Sequence, residues 1–279
     1  MLFNMMIFSS ILGDIIGSRF QYENHRSEFF DLLDKSCHFT DDSVIMLSIV
    51  EILNSKNKDF FFKNDHQEEI KNYISDELRA WCCCFLNRKF SPNFFLWITE
   101  GINEPYYSKG NNPLIRIAPI FYWCKKNNIS TSQMKNLIHL WTEITHHHED
   151  NELWINFYID LLLLLEENQH LNISGKKNII INYLKNYQFF IHSIEQLKID
   201  SAFTFDMKKT LEIAISANLE AENYEEVFYK TVSVGGVSDT YCVIAGVLAS
   251  FLWEFPIQYI EKIESFFRLE EKDLLKNID

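Results

Sequence analysis

Two apolar runs, Val44 to Leu53 and Tyr241 to Trp253, constrain this chain most, because each opens on hydroxyl and carboxylate side chains and then continues at helical length. Phe39-Thr40-Asp41-Asp42-Ser43 introduces the first run, and Gly235-Gly236-Val237-Ser238-Asp239-Thr240 introduces the second. Only 8 Gly and 5 Pro punctuate 279 residues, and period-2 alternation fades within a few residues, so helices are favoured over strands. No repeat or low-complexity linker divides the chain, which reads as a single all-α domain over residues 1–279. With 47% hydrophobic residues and 24 Phe, it has enough apolar mass for a sizeable core rich in rings.

Residues 5–18 read as a buried helix in which Gly13 and Gly17 share a face and would let another backbone approach. Arg19 to Asp34 is polar and aromatic, a loop that can fold over a site. Helices are expected at 41–54, at 67–85 after Asn64-Asp65, and from Pro92 to Glu100. After a loop from Gly101 to Pro113, more follow at 114–125, 130–145, 150–166, 177–187, 207–217, 224–232 and 238–253. Glu254-Phe255-Pro256 stops the last of these, and a charged amphipathic tail runs from Glu261 to Lys276.

The net charge of −13, with no Lys/Arg stripe, argues against a nucleic-acid phosphate surface. Six Cys at 37, 82, 83, 84, 124 and 242 show no metal-clamp spacing and read as thiols of a reducing cytoplasm. The apolar N-terminus lacks a basic leader and is interrupted by Asp14, unlike a signal peptide. Ile155 to Leu165 is too short to cross a bilayer and contains Asp160, so a soluble protein is expected.

In isolation, Thr40-Asp41-Asp42 or Ser238-Asp239-Thr240 is ordinarily an N-cap with favourable first-turn charge. Two such starts together offer what an oxygen-ligated metal site needs. Gly235-Gly236 would let backbone pass close to a bound group, with helix N–H groups aimed at an anion. Tyr107 to Arg116, a loop of small and amide residues entering a helix, suits a diphosphate cradle, though such loops are mostly ordinary turns. Arg116 more simply pins that loop by bonding carbonyls. Consecutive histidines cannot all face one point, so Thr145-His146-His147-His148 reads as a solvated helix C-terminus with one imidazole free to reach a ligand.

In order along the chain, these stretches resemble the ADP-ribosylglycohydrolase family, which includes the dinitrogenase reductase-activating glycohydrolases. Ser10 to Phe20 is similar to the family's opening Gly-Ala-Ile-Ile-Gly-Asp helix, and Phe39 to Ser43 to its Phe-Thr-Asp-Asp-Thr motif. Gly110 to Pro119 resembles the Gly-Asn-Gly-x-x-Met-Arg-Val-x-Pro loop. Thr145 to His148 resembles Thr-His-x-His, and Gly235 to Thr240 the Gly-Gly-Asp-Ser/Thr-Asp-Thr motif. The resemblance implies a compact orthogonal multi-helix domain whose cleft holds two Mg²⁺ or Mn²⁺ ions. It further implies ADP-ribose removed from a modified side chain, arginine foremost, by metal-assisted hydrolysis. Thr40, Asp41, Asp42, Asp239 and Thr240 would be metal ligands, with the three aspartates also the catalytic carboxylates. Ser108, Gly110, Asn111, His146, Gly235 and Gly236 would bind substrate.

Three departures qualify this. Val237 stands at a family Asp, Gln21 at a family Glu, and Asn112 at the loop's second Gly. Two divalent ions would bring +4 against the three remaining carboxylates, so one tightly held ion is expected in place of two. Two functions follow: an ADP-ribosylhydrolase with a degenerate metal site, or an inactive ADP-ribose-binding protein that blocks a partner such as a transferase toxin.

Overall fold

The computed structural model describes residues 2–63, 66–102, 104–200, 203–269, 271–276 and 278. Fourteen α-helices, and no strand, are found among them: α1 Leu2–Ser18, α2 Asp41–Asn54, α3 Gln67–Cys83, α4 Pro92–Glu100, α5 Asn112–Lys126, α6 Thr131–Glu143 and α7 Glu149–Glu167. Then come α8 Ile173–Asn186, α9 Ile194–Asp200, α10 Met207–Glu220, α11 Tyr224–Ser233, α12 Ser238–Leu252, α13 Gln258–Ser265 and α14 Asp273–Lys276. Asn64 and Asp65, expected to lead into α3, lie outside the described residues. The tail expected from Glu261 to Lys276 is broken into α13 and α14 by turns around Phe266 to Lys272. None of the described helices is long and apolar enough to cross a membrane.

The crossing of α1 on α12 sets the frame. A Cβ at Gly13 would lie 2.1 Å from the Cys242 carbonyl oxygen, and one at Gly17 would lie 2.4 Å from that of Ser238, so only glycine permits this approach. The Ser9 hydroxyl donates to the Gly246 carbonyl (2.6 Å), and Ser238 Oγ donates to the Gly17 carbonyl (2.9 Å), fastening the crossing at both ends. The C-terminal half of α1 is thereby laid against the first turn of α12, which places Asp14 next to Asp239.

Phe39 anchors the start of α2. Its ring is buried and stacks on Phe267 at 4.3 Å, with the Arg88 guanidinium 3.5 Å over the ring centroid. Arg88 also donates to the Phe39 carbonyl (3.1 Å). On the other side, the fully buried Arg116 of α5 donates to the Trp141 carbonyl near the end of α6 (2.6 Å) and to Asn112 Oδ1 (2.7 Å). That is the pinning role expected for it, and Asn112 supplies an acceptor where a glycine could not.

Candidate active site

Four helix N-termini open into one cavity of about 280 Å³: those of α2, α4, α5 and α12. Thr40 caps α2 by accepting from the Asp42 N–H, but α4, α5 and α12 have no side-chain cap. Their N–H groups make this end of the molecule electropositive, which suits carboxylates and phosphates.

The structure brings most of the sequence-predicted residues together here. Asp41, Asp42, Asp239, Thr240, Ser108, Gly110, Asn111 and His146 all line the cavity. Thr240 Oγ1 donates to Asp42 Oδ2 (2.7 Å), which ties α12 to α2. Ser108 Oγ accepts from the Gly110 N–H (3.1 Å), and Asn111 Nδ2 donates to Thr210 (3.0 Å), shaping the loop before α5.

Three predicted residues stand behind the wall. Thr40 is buried and donates to Asp14 Oδ1 (2.6 Å). Gly235 and Gly236, at φ +76° and +82°, are placed differently from the anion contact read in the sequence. Their N–H groups are already engaged by the Val232 and Glu23 carbonyls, and the Gly236 carbonyl accepts from the Tyr22 N–H. The pair therefore fixes the Arg19–Asp34 loop against the site, and Tyr22 from that loop forms part of the wall.

Instead of closing a solvated helix, Thr145 to His148 crosses over the cavity's back. The Tyr106 N–H donates to the Thr145 carbonyl (2.8 Å) and the Tyr106 carbonyl accepts from the His147 N–H (3.1 Å). His146 is buried, with Nδ1 bonded to Thr145 Oγ1 (2.8 Å). Burial first, then the Arg116 charge, holds the His146 imidazole well below its usual acidity range, so it is neutral. His148 caps α7, its Nδ1 accepting from the Asp150 N–H (3.1 Å).

Asp14 was not among the predicted site residues. It is fully buried, and its two oxygens accept from the Thr40 N–H (2.8 Å), the Ser43 N–H (3.2 Å) and the Thr40 and Ser43 hydroxyls. Asp14, Asp42 and Asp239 each offer an oxygen within 4.8 Å of the others. Burial pushes Asp14 upward against its hydrogen bonds to Thr40 and Ser43, burial and neighbouring carboxylates push Asp41 and Asp42 upward, and burial with the Asp14 charge lifts Asp239 to about 7. Among the described residues none of these four carboxylates pairs with a basic side chain, and Asp239 Oδ1 is buried with no partner. A buried cluster of carboxylates with an orphaned oxygen and no paired base fits a hard cation.

A sequence model of the ADP-ribosylglycohydrolase family matches residues 3–277. The chain belongs to the ADP-ribosylglycohydrolase family. Its fold agrees: a solved structure titled ADP-ribosylglycohydrolase-related protein complex superposes with a TM-score of 0.68 at 16% identity, covering 99% of this chain and 96% of that one. No curated protein matches the sequence. Within this glycohydrolase family frame, the departures at Gln21 and Val237 both fall in the cavity wall. Val237 is buried and joins Val234, Tyr241 and Ile213 in a small apolar cluster, so one side of the site is greasy where the family motif is acidic.

Proposed function

We propose that this cavity binds ADP-ribose carried on a protein side chain, arginine foremost, and hydrolyses the bond between the ribose C1″ and the acceptor nitrogen. The observation that supports it most is the convergence of Asp41, Asp42, Asp239, Thr240, Ser108 and His146 on one cavity, with no ion pair to these carboxylates among the described residues.

Asp42 and Asp239, with Asp41 and Thr240 beside them, would hold Mg²⁺ or Mn²⁺. Thr40 would support the site through its bonds to Asp14 and Asp42, and Asp14 adds its charge from behind. Bound there, a divalent ion supplies Lewis-acid stabilisation of developing charge and orients ribose hydroxyls. The rest falls to the chain itself. The uncapped first turn of α5, with Ser108, Gly110 and Asn111, receives the diphosphate on N–H donors. With Nδ1 occupied by Thr145, His146 presents Nε2 to a phosphate or ribose oxygen. Asp41 faces the cavity, and burial with the neighbouring carboxylates raises its proton affinity well above that of an ordinary aspartate, which suits a general base. It takes the proton of the attacking water as oxygen adds to C1″, and returns that proton to the departing guanidino nitrogen as the C1″–N bond breaks. The chain acts as one domain, in the cytoplasm.

The greasy wall at Val237 and the amide at Gln21 favour a second reading, an ADP-ribose-binding protein without turnover that blocks a partner such as a transferase toxin. Release of ADP-ribose from an ADP-ribosylated arginine protein separates the two. Mg²⁺-dependent release by the wild type, lost in Asp41→Asn, is expected. Binding without release selects the second reading.

A further inference from the structure

Lys89 is the only lysine or arginine lining the cavity among the described residues. It follows the short 3-10 turn Leu86–Arg88 and holds a left-handed backbone, φ +62° and ψ +45°, which residues with a Cβ rarely adopt. That turn sends Phe90 into the core and leaves Lys89 at the rim. Among the described residues Lys89 forms no hydrogen bond or ion pair, so the ammonium of this exposed residue is uncommitted at the rim of a cavity lined by Asp41, Asp42 and Asp239. Its field reaches Asp239 and opposes the effect of burial there.

Gln21 and Val237 line the same cavity as Lys89. A second divalent ion would meet a neutral amide and an isopropyl group there, and hard cations require anionic oxygens. A compact ammonium on a flexible four-carbon stem can enter such a site and needs no ligand shell of its own.

Resting on the metal-assisted reading above, we propose that the Lys89 ammonium takes the place of a second divalent ion. The site then holds one divalent cation beside a tethered monovalent charge. The lysine offsets part of the carboxylate charge while the ion is absent, and repels the ion when it arrives.

The test is a Mn²⁺ titration of the full chain, by calorimetry and by the paramagnetic resonance signal of free ion, on wild type, Lys89→Met and Lys89→Arg. Melting of each metal-free form is read alongside. Wild type and Lys89→Arg are expected to bind one ion. Lys89→Met should bind it more tightly, on the order of tenfold, while its metal-free form melts at lower temperature than wild type. Two ions in the wild type, or a Lys89→Met variant unchanged in both readouts, overturns the Lys89 assignment alone. No ion bound by the wild type at millimolar Mn²⁺ overturns it together with the metal-assisted reading.

Discussion

Thr240 and Asp42, 198 residues apart in sequence, share a hydrogen bond of 2.7 Å from hydroxyl to carboxylate. That bond joins the first turns of α2 and α12, the two helix starts whose side chains stand out in the sequence. It also commits one oxygen of Asp42, whereas Oδ1 of Asp239 has no partner. The two aspartates therefore respond differently to substitution.

Asp239→Asn should leave the fold intact and raise the stability of the metal-free protein, because it removes a buried charge that accepts no side-chain bond. The same change should abolish divalent-ion binding. Urea denaturation in chelator and a Mn²⁺ titration check both halves. A variant that unfolds, or that binds the ion as the wild type does, would show Asp239 to be a structural cap.

Stability without metal should depend on pH in an unusual direction. Asp239 is raised from 3.8 to about 7, so between those values the native chain binds more protons than the unfolded chain. Its stabilising contribution is full below pH 3.8 and is lost as pH rises through about 7, on the order of 4 kcal/mol for this group alone. Asp41 and Asp42 shift in the same direction. Denaturant midpoints in chelator should therefore fall from pH 4.5 to 7.5, and saturating Mg²⁺ should remove the decline. A profile in chelator that rises with pH contradicts the charge cluster.

Much of this was legible in the sequence, for identifiable reasons. Helix α2 is announced by Thr40-Asp41-Asp42 and a sustained apolar run, and Gly13 with Gly17 forecasts the close α1–α12 crossing. Asp14 was harder to read. Along the chain it is a lone carboxylate interrupting an apolar helix, and its bonds to Thr40 and Ser43 exist only once α1 and α2 are packed. Gly235 and Gly236 misled in the opposite sense: a glycine pair before a helix looks like an anion cradle, but its N–H groups meet the chain's own carbonyls. The seven-residue α9 is too short to show a period. The histidine run hid its geometry because one residue lines the cavity and another caps α7.

Repair of the two departures should restore ligand chemistry. Val237→Asp with Gln21→Glu adds two carboxylates to the cavity wall, so metal affinity should rise. Release of ADP-ribose should rise too, by something on the order of 10²–10⁴-fold. Val237 is buried against an apolar cluster, so the metal-free double variant should also be less stable than wild type by roughly 1–3 kcal/mol. Single-turnover release and melting in chelator read the two effects separately. A folded double variant that gains neither metal nor rate would favour the binding-only function.

The central claim is that one cavity at the meeting of α2, α5 and α12 binds ADP-ribose with the help of a divalent ion. Calorimetric titration with ADP-ribose, in Mg²⁺ and in chelator, tests it most directly. Binding in Mg²⁺ is predicted, weakened by about tenfold or more, roughly 1.4 kcal/mol, in chelator and likewise in Asp42→Asn. No heat at millimolar ADP-ribose in Mg²⁺, or equal affinity with and without the ion, would contradict the account.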